Sequence, residues 1–285
     1  MKIVFSTKNV SRASFLDLCR YAYDYGFEGI EIYDAVKERS SHHDSILRQD
    51  RAGDAKRKLR NRNLAVSALR MPLPLEHTDT TPQLVEKYVE MAATAGIETV
   101  IVRVEKEVPF SVLDEKLAAA IKRAEQADIA ILFETVGWLA NTENVLSIIN
   151  HFASASIGAS WNVRGTYFDA GETAETTIKT LGAYIQYVRL GDMKNGKTVL
   201  IGEGDLEVEK LLNETDEGRV FTVKHSRPPV VPLSEIGAAV KRLKIGATLS
   251  CGELLAVGHV LRSARTIIKY FSVDNFEEQF PLLLK

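Results

Sequence analysis

The 285 residues hold only two cysteines, Cys19 and Cys251. They are far apart in sequence and lack metal-ligand spacing, which excludes a disulfide scaffold and a zinc ribbon. No single sign of charge dominates: 36 Lys+Arg stand against 38 Asp+Glu, a net charge of −2. That balance gives no electrostatic argument for a nucleic-acid partner. No apolar run approaches the roughly 20 residues needed to span a bilayer. The first residues, MKIVFSTKN, lack the apolar core of a signal peptide. The expectation is a cytoplasmic protein with no membrane partner. Glycine (18) and proline (8) are too few for collagen or low-complexity sequence. What remains, 45% hydrophobic and 26% charged residues, is ordinary globular composition. The length suits one large barrel or two modest domains.

Short apolar runs alternate with longer amphipathic ones through the first two thirds. Strands are expected at 2–6, 29–34, 64–71, 99–104, 129–136, 157–163 and 185–192. Helices are expected at 14–26, 44–63, 82–96, 111–127, 142–153 and 174–184, several ending at a glycine or opening on a proline. Near-continuous apolar strands such as IAILF (129–133) fit a sheet buried on both faces. Seven βα-type units imply parallel strands with right-handed crossovers. No Gly-rich phosphate fingerprint follows the first strand, so a (β/α)8 barrel is expected over a doubly wound sheet.

Past residue 205 the pattern changes. RVFTVKH (219–225) reads as an eighth strand, 225–235 as a Pro-rich linker, and 234–246 and 253–272 as helices with Ser234 as an N-cap. The division is therefore a barrel-like domain over 1–205 and a mainly helical tail over 206–285. The barrel is expected to be incomplete or irregular at its eighth strand. The apolar ending PLLLK reads as a chain cut off mid-structure, with a face that seeks a partner, and a homo-oligomer is one outcome.

In a parallel barrel the reactive groups gather at the C-terminal strand ends. Those ends carry Glu31, Tyr33, Asp34, Arg70, Arg103, Glu105, Glu134, Trp161, Asn162, Arg164, Arg189 and Asp192. Carboxylates converging with arginines suit a small polar or anionic ligand. Glu134 stands out because it follows the apolar run ILF. A carboxylate there needs either a partner or a task.

GFEGIEIYD, ILFETVGWLANTENV, IGASWNVRGTYFDAGET and LGAYIQYVRLGDMKNGKTVLIGEGDL resemble segments of the xylose-isomerase-like TIM-barrel superfamily, over about residues 1–205. The resemblance implies a sugar or sugar-phosphate isomerase or epimerase that moves a proton next to a carbonyl. It also implies a divalent metal (Mn, Mg, Zn or Co) held by a Glu on strand five, an Asp on strand six, a His on strand seven and a Glu on strand eight. Glu134 stands at the first position, as catalytic base and metal ligand. Asn162 stands at the Asp position and Arg189 at the His position, with Asp192 matching the aspartate that follows it. No residue matches the fourth ligand. An arginine has no lone pair for a cation. Arg164 and Arg189 are therefore expected to hold a substrate anion, with Asn162 and Asp192 positioning it. A non-catalytic barrel joined to a helical association segment is one alternative, and a DNA-repair role through the tail is a second.

The tail, from LEVEKLLNETDEGRVFTV to GELLAVGHVLRSARTIIKYF, resembles the N-terminal segment of the MutS-like endonuclease family, second type. That family's catalytic parts lie elsewhere, so the resemblance implies neither an ATPase nor a nuclease here. A joined gene would explain a barrel without its own ending.

Residues 191–198, GDMKNGKT, satisfy the P-loop pattern G-x-x-x-x-G-K-[ST]. A P-loop runs on into a helix, whereas VLIGEG follows here, so a hairpin excursion is expected. His42 and His43 read as solvated, and His77, His151 and His259 as isolated.

Overall fold

The computed structural model describes residues 2–10, 13–36, 47, 52–206, 208–225, 236–244, 246, 248–272 and 276–281. Seven strands form one sheet in sequential order, all parallel: β1 (Val4–Ser6), β2 (Gly29–Tyr33), β3 (Ala65–Arg70), β4 (Thr99–Val102), β5 (Ala130–Glu134), β6 (Ile157–Asn162) and β7 (Ile185–Arg189). Between them run α1 (Phe15–Asp24), α2 (Ala52–Arg60), α3 (Pro82–Ala95), α4 (Phe110–Ala127), α5 (Thr142–Phe152) and α6 (Ala174–Leu181). The helix starts follow from local chemistry. Thr81 caps α3, whose first residue is Pro82, and Gly96 closes it in the left-handed conformation.

Strand alternation sorts the side chains onto two faces. Ile30, Ile32, Val100, Val102, Ile131, Phe133 and Ile157 point outward into the main core beneath the helices. Ala68, Ile101 and Leu132 form a second, smaller cluster, with Ala130 and Tyr187 packed against it. This second cluster fills the inside of the curled sheet. Each of its strands carries a polar residue two positions further on, at the C-terminal mouth.

The sheet is an incomplete (β/α)8 barrel: among the described residues no eighth strand lies between β7 and β1. The outer face of β7 is correspondingly bare, with Val188 45% exposed.

The hairpin expectation for 191–198 holds. β8 (Asp192–Lys194) pairs antiparallel with β9 (Lys197–Val199). Asn195 and Gly196 take φ of 51° and 74°, the left-handed pair that a tight two-residue turn requires. The P-loop pattern is therefore a hairpin.

The chain divides into two compact units, Met1–Leu206 and Glu207–Lys285. The second holds α7 (Val208–His225), α8 (Gly237–Lys244), α9 (Cys251–Phe271) and α10 (Phe276–Gln279). The eighth strand read from 219–225 is here the end of α7. In a strand, Phe221 and Val223 would share one face, yet Phe221 is 2% exposed and Val223 76%. Holding β-branched residues in a helix costs only a few tenths of a kcal/mol each. Burying Phe221 against Phe276 and Phe280 returns roughly 2–3 kcal/mol, so packing decides. Ser250 and Glu253 close a reciprocal capping box at the start of α9. Ser234, His42, His43 and most of the final PLLLK lie outside the described residues.

Candidate functional site

The mouth of the barrel is a ring of side chains, one from each strand. Ser6, Glu31, Arg70, Glu134, Asn162 and Arg189 come from β1, β2, β3, β5, β6 and β7. Arg103 follows directly on β4. Each faces inward because it stands two residues from a residue on the inner face: Arg70 from Ala68, Arg103 from Ile101, Glu134 from Leu132 and Arg189 from Tyr187.

Glu134 is fully buried. Its Oε2 accepts from Arg70 Nε at 2.7 Å and also from Arg70 Nη2. Its Oε1 accepts from Asn162 Nδ2 at 2.8 Å and pairs with Arg189 Nε at 3.2 Å. Three N–H donors thus hydrogen-bond the carboxylate, and the Arg189 guanidinium adds a second ion pair. Burial pushes the Glu134 carboxyl upward, but Arg70, then Arg189 and the Asn162 bond, outweigh it and hold the group below the usual glutamate range.

Arg189 bridges two acids. It pairs with Glu134 through Nε and with Glu31 through Nη1. Glu31 is also fully buried and accepts from Ser6 Oγ at 2.7 Å. Burial opposes the Arg189 charge, but Glu31 and Glu134 override it and raise its pKa. Burial, and then the nearby Glu31 charge, push the Tyr187 phenol up to about 12. The result is an ionic ladder across the mouth, running Glu31, Arg189, Glu134, Arg70.

Of the residues picked out in the sequence, Glu134, Asn162 and Arg189 come together here. Asp192 does not join them. Its carboxylate accepts backbone N–H bonds from Met193, Gly202, Gly204 and Leu206 at 2.9–3.2 Å, clasping the segment after the hairpin. Burial raises its pKa, and these backbone bonds more than reverse the effect. Gly204 has to be glycine, because a Cβ there would lie 2.1 Å from Asp192 Oδ1. Arg164 turns its Nη1 to Met193 Sδ at 3.3 Å and makes no ion pair with the ladder. Glu31 and Arg70 stand at strand ends visible in the sequence. Ser6 and Lys8 were missed, although the end of the first strand points to them by the same rule.

Glu134 is the first of the four implied metal ligands, and its oxygens are taken by two guanidinium groups and an amide. A divalent cation would compete with fixed positive charges for the same lone pairs. Among the described residues no group of three His, Cys, Asp or Glu side chains gathers to hold one. The residues present do not fit the metal.

The fold is that of a parallel, incomplete α/β barrel. A model of the xylose isomerase-like TIM barrel family matches residues 19–244, and the chain belongs to that family. A xylose isomerase domain-containing protein from Salmonella typhimurium superposes with a TM-score of 0.62 at 13% identity, covering 76% of this chain and 84% of that one. The 3-keto-D-glucoside 4-epimerase of E. coli gives 0.59 at 12% identity, over 74% and 86%. A zinc-bound protein, IolI, gives 0.58 at 15% identity, over 96% and 100%. Identities this low establish a shared fold. A second match covers a shorter stretch of the chain. The endonuclease MutS2 of Clostridium beijerinckii is 34% identical over 77 residues, which is 27% of this chain and 10% of that protein. The chain thus spans about a tenth of the length of that relative. No described helix is long and apolar enough to cross a membrane.

Proposed function

We propose that this chain is an isomerase-like barrel that binds a small polyhydroxy carbonyl compound at its mouth without metal-assisted proton transfer. One observation carries the reading: the Glu134 carboxylate is buried between Arg70 and Arg189, with a hydrogen bond from Arg70 or Asn162 on each oxygen. A general base needs a pKa near the working pH and a lone pair within reach of the proton it takes. Glu134 has a depressed pKa, and each of its oxygens already accepts a hydrogen bond beside a fixed guanidinium charge. The second buried carboxylate of the mouth, Glu31, is tied to Arg189 and Ser6. The mouth therefore offers fixed donors and acceptors to hydroxyl groups, while its acids hold the barrel together.

Proton exchange provides the test. The full chain is mixed with ketoses and ketose phosphates in D2O, with Mn2+ supplied. Saturation-transfer NMR is expected to show ligand contact, with no deuterium entering the carbon next to the carbonyl. Exchange that disappears in Glu134→Gln would establish an isomerase and overturn the reading.

A further inference from the structure

One corner of the mouth holds two cations outside the ionic ladder, Lys8 and Arg103, beside Arg70 at the ladder's end. Lys8 lies in the short turn after β1, and its Nζ stands 5.8 Å from the centre of the Tyr33 ring. Arg70 approaches the same ring, with Cζ at 5.6 Å. The Tyr33 hydroxyl donates to the Pro72 carbonyl at 3.3 Å, and Arg103 Nη2 donates to that same oxygen. Two cations thus approach the Tyr33 ring, from the turn after β1 and from β3, and Arg103 at the end of β4 shares its hydroxyl's acceptor.

Their counter-charges are incomplete. Arg103 pairs through Nε with Glu105 at 3.0 Å, and Glu105 is half exposed. Arg70 commits Nε and Nη2 to Glu134. Its side chain is only 5% exposed, yet its buried Nη1 has no hydrogen-bond acceptor among the described residues. A buried donor in that state is costly, and an oxyanion is the acceptor that best relieves it. Lys8 makes no ion pair among the described residues, and burial followed by Arg70, Arg103 and Arg189 depresses its pKa, although Glu134 opposes them. An anion placed there would reverse that repulsion.

We infer that Lys8, Arg70 and Arg103 form a subsite for an oxyanion, so that the ligand of the mouth is a polyhydroxy compound bearing a phosphate or a carboxylate. The inference rests on reading the mouth as a ligand site. The exposed Lys8 is where the anion arrives, and the guanidinium groups of Arg70 and Arg103 fix its orientation. The same cluster repels divalent cations, in keeping with the arrangement around Glu134.

Calorimetric titration of the full chain tests this with three probes: inorganic phosphate, acetate and a neutral ketohexose. The wild type should bind at least one of the two anions saturably, and which of them binds identifies the ligand's charged group. Lys8→Gln should weaken that binding about tenfold, the loss of one charge-assisted contact, with an unchanged melting temperature. Lys179→Gln, which changes an exposed pair on α6, should leave it intact. Equal affinity in wild type and Lys8→Gln, or equal weakening by Lys179→Gln, overturns the subsite. If the ketohexose binds and neither anion does, the subsite falls while the proposed function stands. If no probe binds, both fall.

Discussion

Glu134 has its carboxylate between two guanidinium groups and out of water. Burying these charges is expensive, and the hydrogen bonds on both oxygens offset that expense. Removing one partner leaves the others uncompensated, so Glu134→Ala is expected to destabilise the fold by roughly 3–5 kcal/mol. The pH dependence has a definite sign. The folded pKa lies below the ordinary 4.5, so the group's contribution is fully present above that pH. It is lost as pH falls through the lower folded value. Urea midpoints of wild type and Glu134→Gln should therefore differ widely at pH 7 and pH 5, and the gap should shrink as pH falls below 4.5. A gap independent of pH would mean that Glu134 is held by something other than its charge. Much of this site was legible in the sequence. An acid directly after the run Ile131-Leu132-Phe133 has to face a partner, and a strand-end rule brought Asn162 and Arg189 to the same place. Lys8 escaped because it stands on a turn, where no periodicity marks it. Asp192 misled because its strand-end position says nothing of the loop that returns to bond it.

The seven strands and their helices were readable because short, near-continuous apolar runs and helices of period 3.6 alternate without interruption up to β7. The segment 219–225 broke the rule. Val220, Thr222 and Val223 favour strand locally, and the aromatic cluster around Phe221 overrides them. Ring centroids of Tyr270, Phe276 and Phe280 lie 5.0–5.2 Å from that of Phe221. Phe221→Ala should cost the tail unit about 3–5 kcal/mol and erase much of its aromatic circular dichroism. Phe221→Leu, which keeps an apolar side chain in place, should cost less. If Val223→Ala, at an exposed position, proves as damaging as Phe221→Ala, the helical assignment of this segment is wrong.

The whole chain joins two kinds of relationship. The barrel family match extends to residue 244, past the boundary of the compact unit at Leu206. The MutS2 match covers about a quarter of the chain. Neither carries an activity over to this protein. At the mouth of this barrel, arginines of β3 and β7 stand against the buried acid of β5. Calorimetric titration of the full chain with Mn2+ tests this most directly. The account predicts no saturable site in the wild type and no change in Glu134→Gln. Stoichiometric Mn2+ binding that Glu134→Gln abolishes would contradict it.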